Sequence, residues 1–93
     1  MSRTARVTAV IVSFNPDRLR FSEQARELAT QVSGSIIVDN GSSGSTLAWL
    51  RALVSAGEGR LRLIELGANR GIAAAQNVGI DAAIKDGPDY LLL

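Results

Sequence analysis

The chain of 93 residues contains no cysteine and no histidine. Without cysteine there is no disulfide framework and no thiol nucleophile, and without either residue the usual zinc ligand sets are missing. General base catalysis by imidazole is excluded too. Any chemistry must come from carboxylates, amides, hydroxyls or the backbone. Aromatic residues make up only 4% of the chain against 46% hydrophobic, so the core must be built from Val, Ile, Leu and Ala. Such a composition suits a parallel α/β sheet, whose central strands are covered on both faces.

An excess of charge of either sign is also lacking. Ten basic and nine acidic residues give a net charge of +1, and the signs are intermixed along the chain. No nucleic-acid surface is expected from that pattern. No apolar run approaches the roughly 18 residues that a transmembrane helix needs. Arg3 and Arg6 before Val7 to Phe14 have the outline of a short signal peptide. Thr8 and Ser13 interrupt that run, however, and Asn15-Pro16 follows without a small-residue cleavage pattern. The expected location is the cytoplasm, with any membrane association at its cytoplasmic face supplied by other parts of a longer protein. A chain of this length makes one domain that buries about 60 to 70% of its unfolded surface. Ordering costs roughly 1.5 kcal/mol per residue, so the margin is thin.

What is present is a regular alternation of strand and helix signals. Val7 to Phe14 is β-branched, too short for a stable helix, and followed by the turn-prone Asn15-Pro16-Asp17. Asp17 can cap the next segment. From Arg18, the residues Phe21, Ala25, Leu28, Ala29 and Val32 recur at helical spacing, predicting a helix that ends near Ser33-Gly34. Ser35 to Val38 is the second strand. Ser45 or Thr46 is expected to open a second helix with Leu47, Leu50, Leu53 and Val54 as its buried stripe and Gly57 and Gly59 closing it. Trp49 reads as a packing residue on its flank. Arg60 to Leu66 alternates basic and apolar residues and predicts a partly exposed strand near a sheet edge.

Ile72 to Lys85 is a third helix, unusually full of small residues. Ala73, Ala74, Ala75 and Gly79 would let it approach a sheet or a ligand closely, although Gly79 costs about 1 kcal/mol of helix propensity. Asp89 to Leu93 begins a fourth strand. The order βαβαβαβ gives an α/β fold, a Rossmann-like three-layer sandwich with a mainly parallel sheet.

In such a sheet the loops Ser13 to Asp17, Asp39 to Ser45 and Gly67 to Gly71 fall on one edge, where ligands bind. The first βα turn has no glycine, which argues against a dinucleotide fingerprint, and no phosphate loop of the Gly-x-x-x-x-Gly-Lys type occurs. Gly41-Ser42-Ser43-Gly44 is followed by Ser45, so it is not a nucleophile elbow. Asp39 and Asn40 remain, at a strand end beside a loop rich in backbone donors. A carboxylate can accept from the ring N–H of a pyrimidine, and helix amino termini favour phosphate. The residues alone equally allow a plain turn at Asp39-Asn40 and a plain helix cap at Ser45.

Four landmarks narrow this choice: Ser13-Phe14-Asn15-Pro16, Val38-Asp39-Asn40-Gly41-Ser42-Ser43, Asn69 to Gly79, and Asp89-Tyr90-Leu91-Leu92-Leu93. In this order and spacing, over essentially the whole chain, the sequence resembles the amino-terminal half of glycosyltransferase family 2, of GT-A type, and most of all its rhamnosyltransferase-like branch. The resemblance implies that Ser13, Phe14 and Asn15 lie beside base and ribose, that Asp39, with Asn40 next to it, contacts the pyrimidine, and that Asn69, Gly71 and Gln76 line the nucleotide-sugar pocket. Gln76 stands where many members have Arg; Arg70 is a candidate for a phosphate contact.

It also implies that the full-length enzyme holds a divalent metal, Mg or Mn, through an Asp-x-Asp-like motif directly after the fourth strand, with a later acidic residue as catalytic base. Neither lies in these 93 residues. Asp86 and Asp89 precede the strand and cannot substitute. Residues 1–93 are therefore expected to form a single nucleotide-sugar-binding half-domain, truncated before the metal motif and inactive alone. The parent would be an inverting hexosyltransferase, with dTDP-rhamnose as expected donor and a cell-envelope glycan or lipid-linked molecule as acceptor. A non-catalytic nucleotide-binding or interaction module of the same half-fold is the alternative.

Tyr90 to Leu93 would leave an apolar strand edge, which invites pairing with another chain. Self-association through that edge is expected, and light scattering at high protein concentration checks it. A strictly monomeric species is the contrary result.

Overall fold

A computed structural model describes residues 5–93; Arg3 lies outside the described residues. The elements are β1 (Val7–Ser13), α1 (Arg18–Ala29), β2 (Gly34–Asp39), α2 (Gly44–Ala56), β3 (Leu61–Glu65), α3 (Ile72–Ile84) and β4 (Tyr90–Leu92). The four strands form one sheet in the order β3-β2-β1-β4, and every pairing is parallel. β3 is an edge strand, as its alternation of Arg and Leu predicts. The chain moves outward from β1 to β2 and β3, then crosses back to the other side of β1.

This reversal sorts the helices between the two faces. On one face, Phe21 and Ala25 of α1 and Leu50 and Leu53 of α2 pack on Ile37 and Leu61. Trp49 sits at the margin of this core, with its ring edge-on to Phe21 at a centroid distance of 5.9 Å. On the other face α3 alone packs Ala75 and Ala83 against Val10, Ile36 and Val38. The result is a three-layer α/β sandwich whose core is aliphatic.

The small residues of α3 divide their tasks. Ala73 and Ala74 are exposed, whereas Ala75 is fully buried. A Cβ on Gly79 would run into Val10 Cγ1 and lie 2.9 Å from Val38 Cγ2. The close approach at Gly79 is therefore to the sheet, not to a ligand.

Two boundaries differ from expectation. α1 stops at Ala29, four residues early, because the Thr30 hydroxyl donates to Glu27 O and Ser33 is already tied to β1: Ser33 N donates to Val7 O at 2.8 Å and Val7 N to Ser33 Oγ at 3.1 Å. α2 is capped by Ser43, not Ser45 or Thr46; Ser43 Oγ accepts from Thr46 N at 3.4 Å. Asp17 caps α1 as expected, accepting from Arg20 N at 3.0 Å. Among the described residues no helix is long and apolar enough to cross a membrane.

Gly79→Ala gains about 1 kcal/mol of helix propensity but overpacks the sheet, which costs about 1 to 3 kcal/mol. Urea unfolding should show a net loss of stability, whereas a stabilised variant would mean that α3 stands off the sheet at this point.

Candidate functional site

Parallel pairing brings Ser13, Asp39 and Glu65 side by side at the carboxyl edge of β1, β2 and β3. Asp39 is only 1% exposed. A buried carboxylate must be hydrogen-bonded to be tolerated, and this one receives three donors. Ser13 Oγ and Ser42 Oγ donate to Asp39 Oδ1 at 2.9 and 2.5 Å, and Ser42 N donates to Oδ2 at 2.8 Å. The Asp39-to-Ser42 bonds are local turn chemistry of the kind that Asp favours. Oδ2 keeps capacity for a further donor.

Ser42 and Asn15 then join the first two loops. Asn15 N donates to Ser42 Oγ at 2.7 Å, and Ser43 N donates to Asn15 Oδ1 at 2.9 Å. Asn15 holds φ 42°, a left-handed conformation that Asn adopts more readily than most residues. Phe14 beside it is 52% exposed, so its ring is available to a ligand.

Asn40 joins the second loop to the third. It is 4% exposed, and both ends of its amide are used: Nδ2 donates to Asn69 Oδ1 at 3.2 Å, and Arg70 N donates to Asn40 Oδ1 at 2.8 Å. Asn69 Oδ1 also accepts from Gly71 N at 2.9 Å. Gly41, at φ +95°, lets the two backbones meet; a Cβ there would lie 2.8 Å from Ala68 C and Asn69 N. The three loops thus form one hydrogen-bonded platform.

The site residues expected from the sequence fall into two sets. Ser13, Asn15, Asp39, Asn40, Asn69 and Gly71 are brought together, and many of their polar groups are spent on one another. Phe14 and Arg70 are exposed on the platform, and the Arg70 guanidinium makes no bond with the described residues. Gln76 is half-buried, a turn into α3, and forms no bond with the others. Gly71, at φ +84°, starts α3 without a side-chain cap, so the first N–H groups of that helix have no side-chain acceptor. Sequence reasoning missed Ser42 and Gly41 as site residues. The Asp-x-x-Ser spacing was a local sign of the first; the second becomes apparent only with the third loop in place.

The acidic side chains at the carboxyl edge are engaged by neighbours. Asp39 is committed to Ser13 and Ser42, and Glu65 to Arg51, with N–O distances of 2.6 and 2.9 Å. The hydrogen bond from Arg51 holds the Glu65 carboxyl below its usual range. Asp86 pairs with Arg62 at 2.6 Å, and Asp89 accepts from Arg6 N at 2.8 Å, both at the amino end of the sheet. No group of three or more acidic residues that could hold a metal occurs among the described residues.

A family model described as Glycosyl transferase family 2 matches residues 10–93. A dTDP-rhamnosyl transferase RfbF of Shigella flexneri is 34% identical over 86 residues, which cover 92% of this chain and 27% of that protein. The chain thus spans about a quarter of the length of that relative. No solved structure matches.

Asn40→Ala should cost about 1 to 3 kcal/mol, since it leaves the Arg70 amide and the Asn69 carboxamide without their partner. Hydrogen exchange at the Arg70 amide should accelerate. Unchanged protection at Arg70 would mean that the third loop holds itself in place.

Proposed function

The chain belongs to glycosyl transferase family 2, and from that footing we propose that it is the nucleotide-recognition part of an inverting transferase. The proposed donor is dTDP-rhamnose, after the printed activity of the Shigella relative, and the proposed acceptor a cell-envelope glycan or a lipid-linked molecule. The observation that carries the reading is the platform itself: the loops after β1, β2 and β3 are tied together around Asp39 at the carboxyl edge. That edge of an open α/β sheet is where ligands bind, and the strand order reverses between β1, which Phe14 follows, and β4.

In this reading Asp39 Oδ2 accepts from the ring N–H of the pyrimidine and Phe14 packs on the base or ribose. Arg70 and the open N–H groups of α3 face the diphosphate, where cationic and helix amino-terminal donors favour phosphate oxygens. Asn40, Asn69 and Ser42 act as positioning residues. Transfer itself would join the acceptor oxygen to the anomeric carbon, release the nucleoside diphosphate and inverts the sugar's configuration. The divalent cation and the base that takes the acceptor's proton are assigned to residues outside this chain, because Asp39 and Glu65, the acidic side chains at the carboxyl edge, are engaged by Ser13, Ser42 and Arg51. The proposed compartment is the cytoplasm, and the 93 residues alone should turn over no donor.

Calorimetry of the full-length protein with dTDP and UDP, with and without magnesium or manganese, tests the proposal. Metal-dependent binding of dTDP is expected, and Arg70→Ala should weaken it about tenfold, the worth of one charge-assisted contact. Metal-independent binding would favour a non-catalytic nucleotide module, and no binding of either nucleotide would remove the reading. Arg70 is exposed, so its replacement leaves the fold intact.

A further inference from the structure

The opposite edge of the sheet carries a concave site, built from different chemistry. A pocket of about 320 Å³ lies between the amino ends of β1, β2 and β3 and the end of α3, with Arg6, Thr8, Ser33, Arg60, Arg62 and Asp86 in its wall. Its size corresponds to about ten water molecules. Strand alternation places Thr8, Ile36 and Arg62 on the α3 face of the sheet.

Three arginines thus border one hollow with one carboxylate, Arg60 also bordering the pocket between α1 and α2. Arg6 is anchored: it donates to Asp86 O at 3.0 Å and Gly87 O at 3.4 Å, carbonyls at the end of α3. Arg62 Nη1 holds Asp86 Oδ2 at 2.6 Å, which consumes that carboxylate and leaves the other N–H groups of Arg62 unspent. The Arg60 guanidinium has no hydrogen bond or ion pair with the described residues. Ser33 Oγ accepts from Val7 N, and its own O–H remains to donate.

Arginine cannot shed its charge, so this concentration of cations is not relieved by deprotonation. A concave surface with an excess of one sign focuses its field on counter-ions, and the planar guanidinium fork matches an oxyanion in two-point contact. The pocket has room for one tetrahedral oxyanion with its remaining waters. We infer that this pocket binds a phosphate group, held by Arg60 and Arg62 with Ser33 as a neutral donor, at the far end of the sheet from the nucleotide platform. The source is either inorganic phosphate or the terminal phosphate of a small monoester. This site stands independently of the proposed donor site.

Titration of the isotope-labelled protein with inorganic phosphate, at ionic strength held constant with chloride, reads the site by NMR. Saturable shifts are expected at the Gly34 and Gly59 amides, which border the pocket. Arg60→Gln should weaken the binding at least tenfold and Arg70→Gln should not change it. Arg60→Gln breaks no hydrogen bond or ion pair among the described residues, so its melting temperature should stay that of the parent. Glycerol phosphate in place of phosphate distinguishes the sources: tighter binding assigns a monoester, weaker binding the free ion. Shifts that centre on Gly41 and Gly71 and respond to Arg70→Gln would overturn the inference while leaving the donor platform standing. Shifts that never saturate, or that chloride alone reproduces, would overturn it as well.

Discussion

The carboxyl edge of this domain is organised around one buried charge. Asp39 sits at the end of the second strand with 1% of its surface exposed, and an unpartnered carboxylate there would be untenable. Its three donors come from two places, the neighbouring strand end at Ser13 and the turn at Ser42. Satisfying the charge therefore fixes the turn, and Ser42, once fixed, receives Asn15 from the first loop. The position of Phe14 and Asn15 is a consequence of how Asp39 is paired.

A second constraint sets the third loop, and it is steric as well as polar. Gly41 has a positive φ and no room for a Cβ against Ala68 and Asn69, so the loops after β2 and β3 lie backbone to backbone. Asn40 then bonds to Asn69 and Arg70 across that contact. On the far face, Gly79 performs the same service for α3 and the sheet. At both places glycine is required by a neighbour, and at both the reward is close packing of backbone on backbone or backbone on side chain.

How much of this was legible in the sequence depends on the range of the interaction. The strands at Val7 and Ser35 and the helix at Ile72 announce themselves through β-branched runs and helical spacing, which are local signals. The landmarks at Asp39, Asn69 and Ser13 do lie together at one sheet edge. Their bonding was not legible, because Ser13 to Asp39 and Asn40 to Asn69 are separated by 26 and 29 residues and meet only after the sheet forms. The helix cap was misplaced for a related reason: several hydroxyl residues compete between Ser42 and Thr46, and the one chosen, Ser43, is held by Asn15 of another loop. The early end of α1 likewise follows from Ser33 pairing with Val7, a contact invisible to helical periodicity.

The pairing of Asp39 also limits what the site can do. A carboxylate that accepts three protein donors has little left for metal or for abstracting a proton; in the proposed reading one lone pair on Oδ2 would read a single N–H of a base. Rigidity would then be an advantage: a carboxylate held by two serines is already oriented, and less conformational entropy would be lost on binding a ligand. Phosphate recognition would ask for the opposite character, a cation in water, and Arg70 is exposed with its guanidinium unbonded to the described residues. In the proposed reading the platform would separate its roles physically, with the buried charge selecting the base and the exposed one attracting the diphosphate.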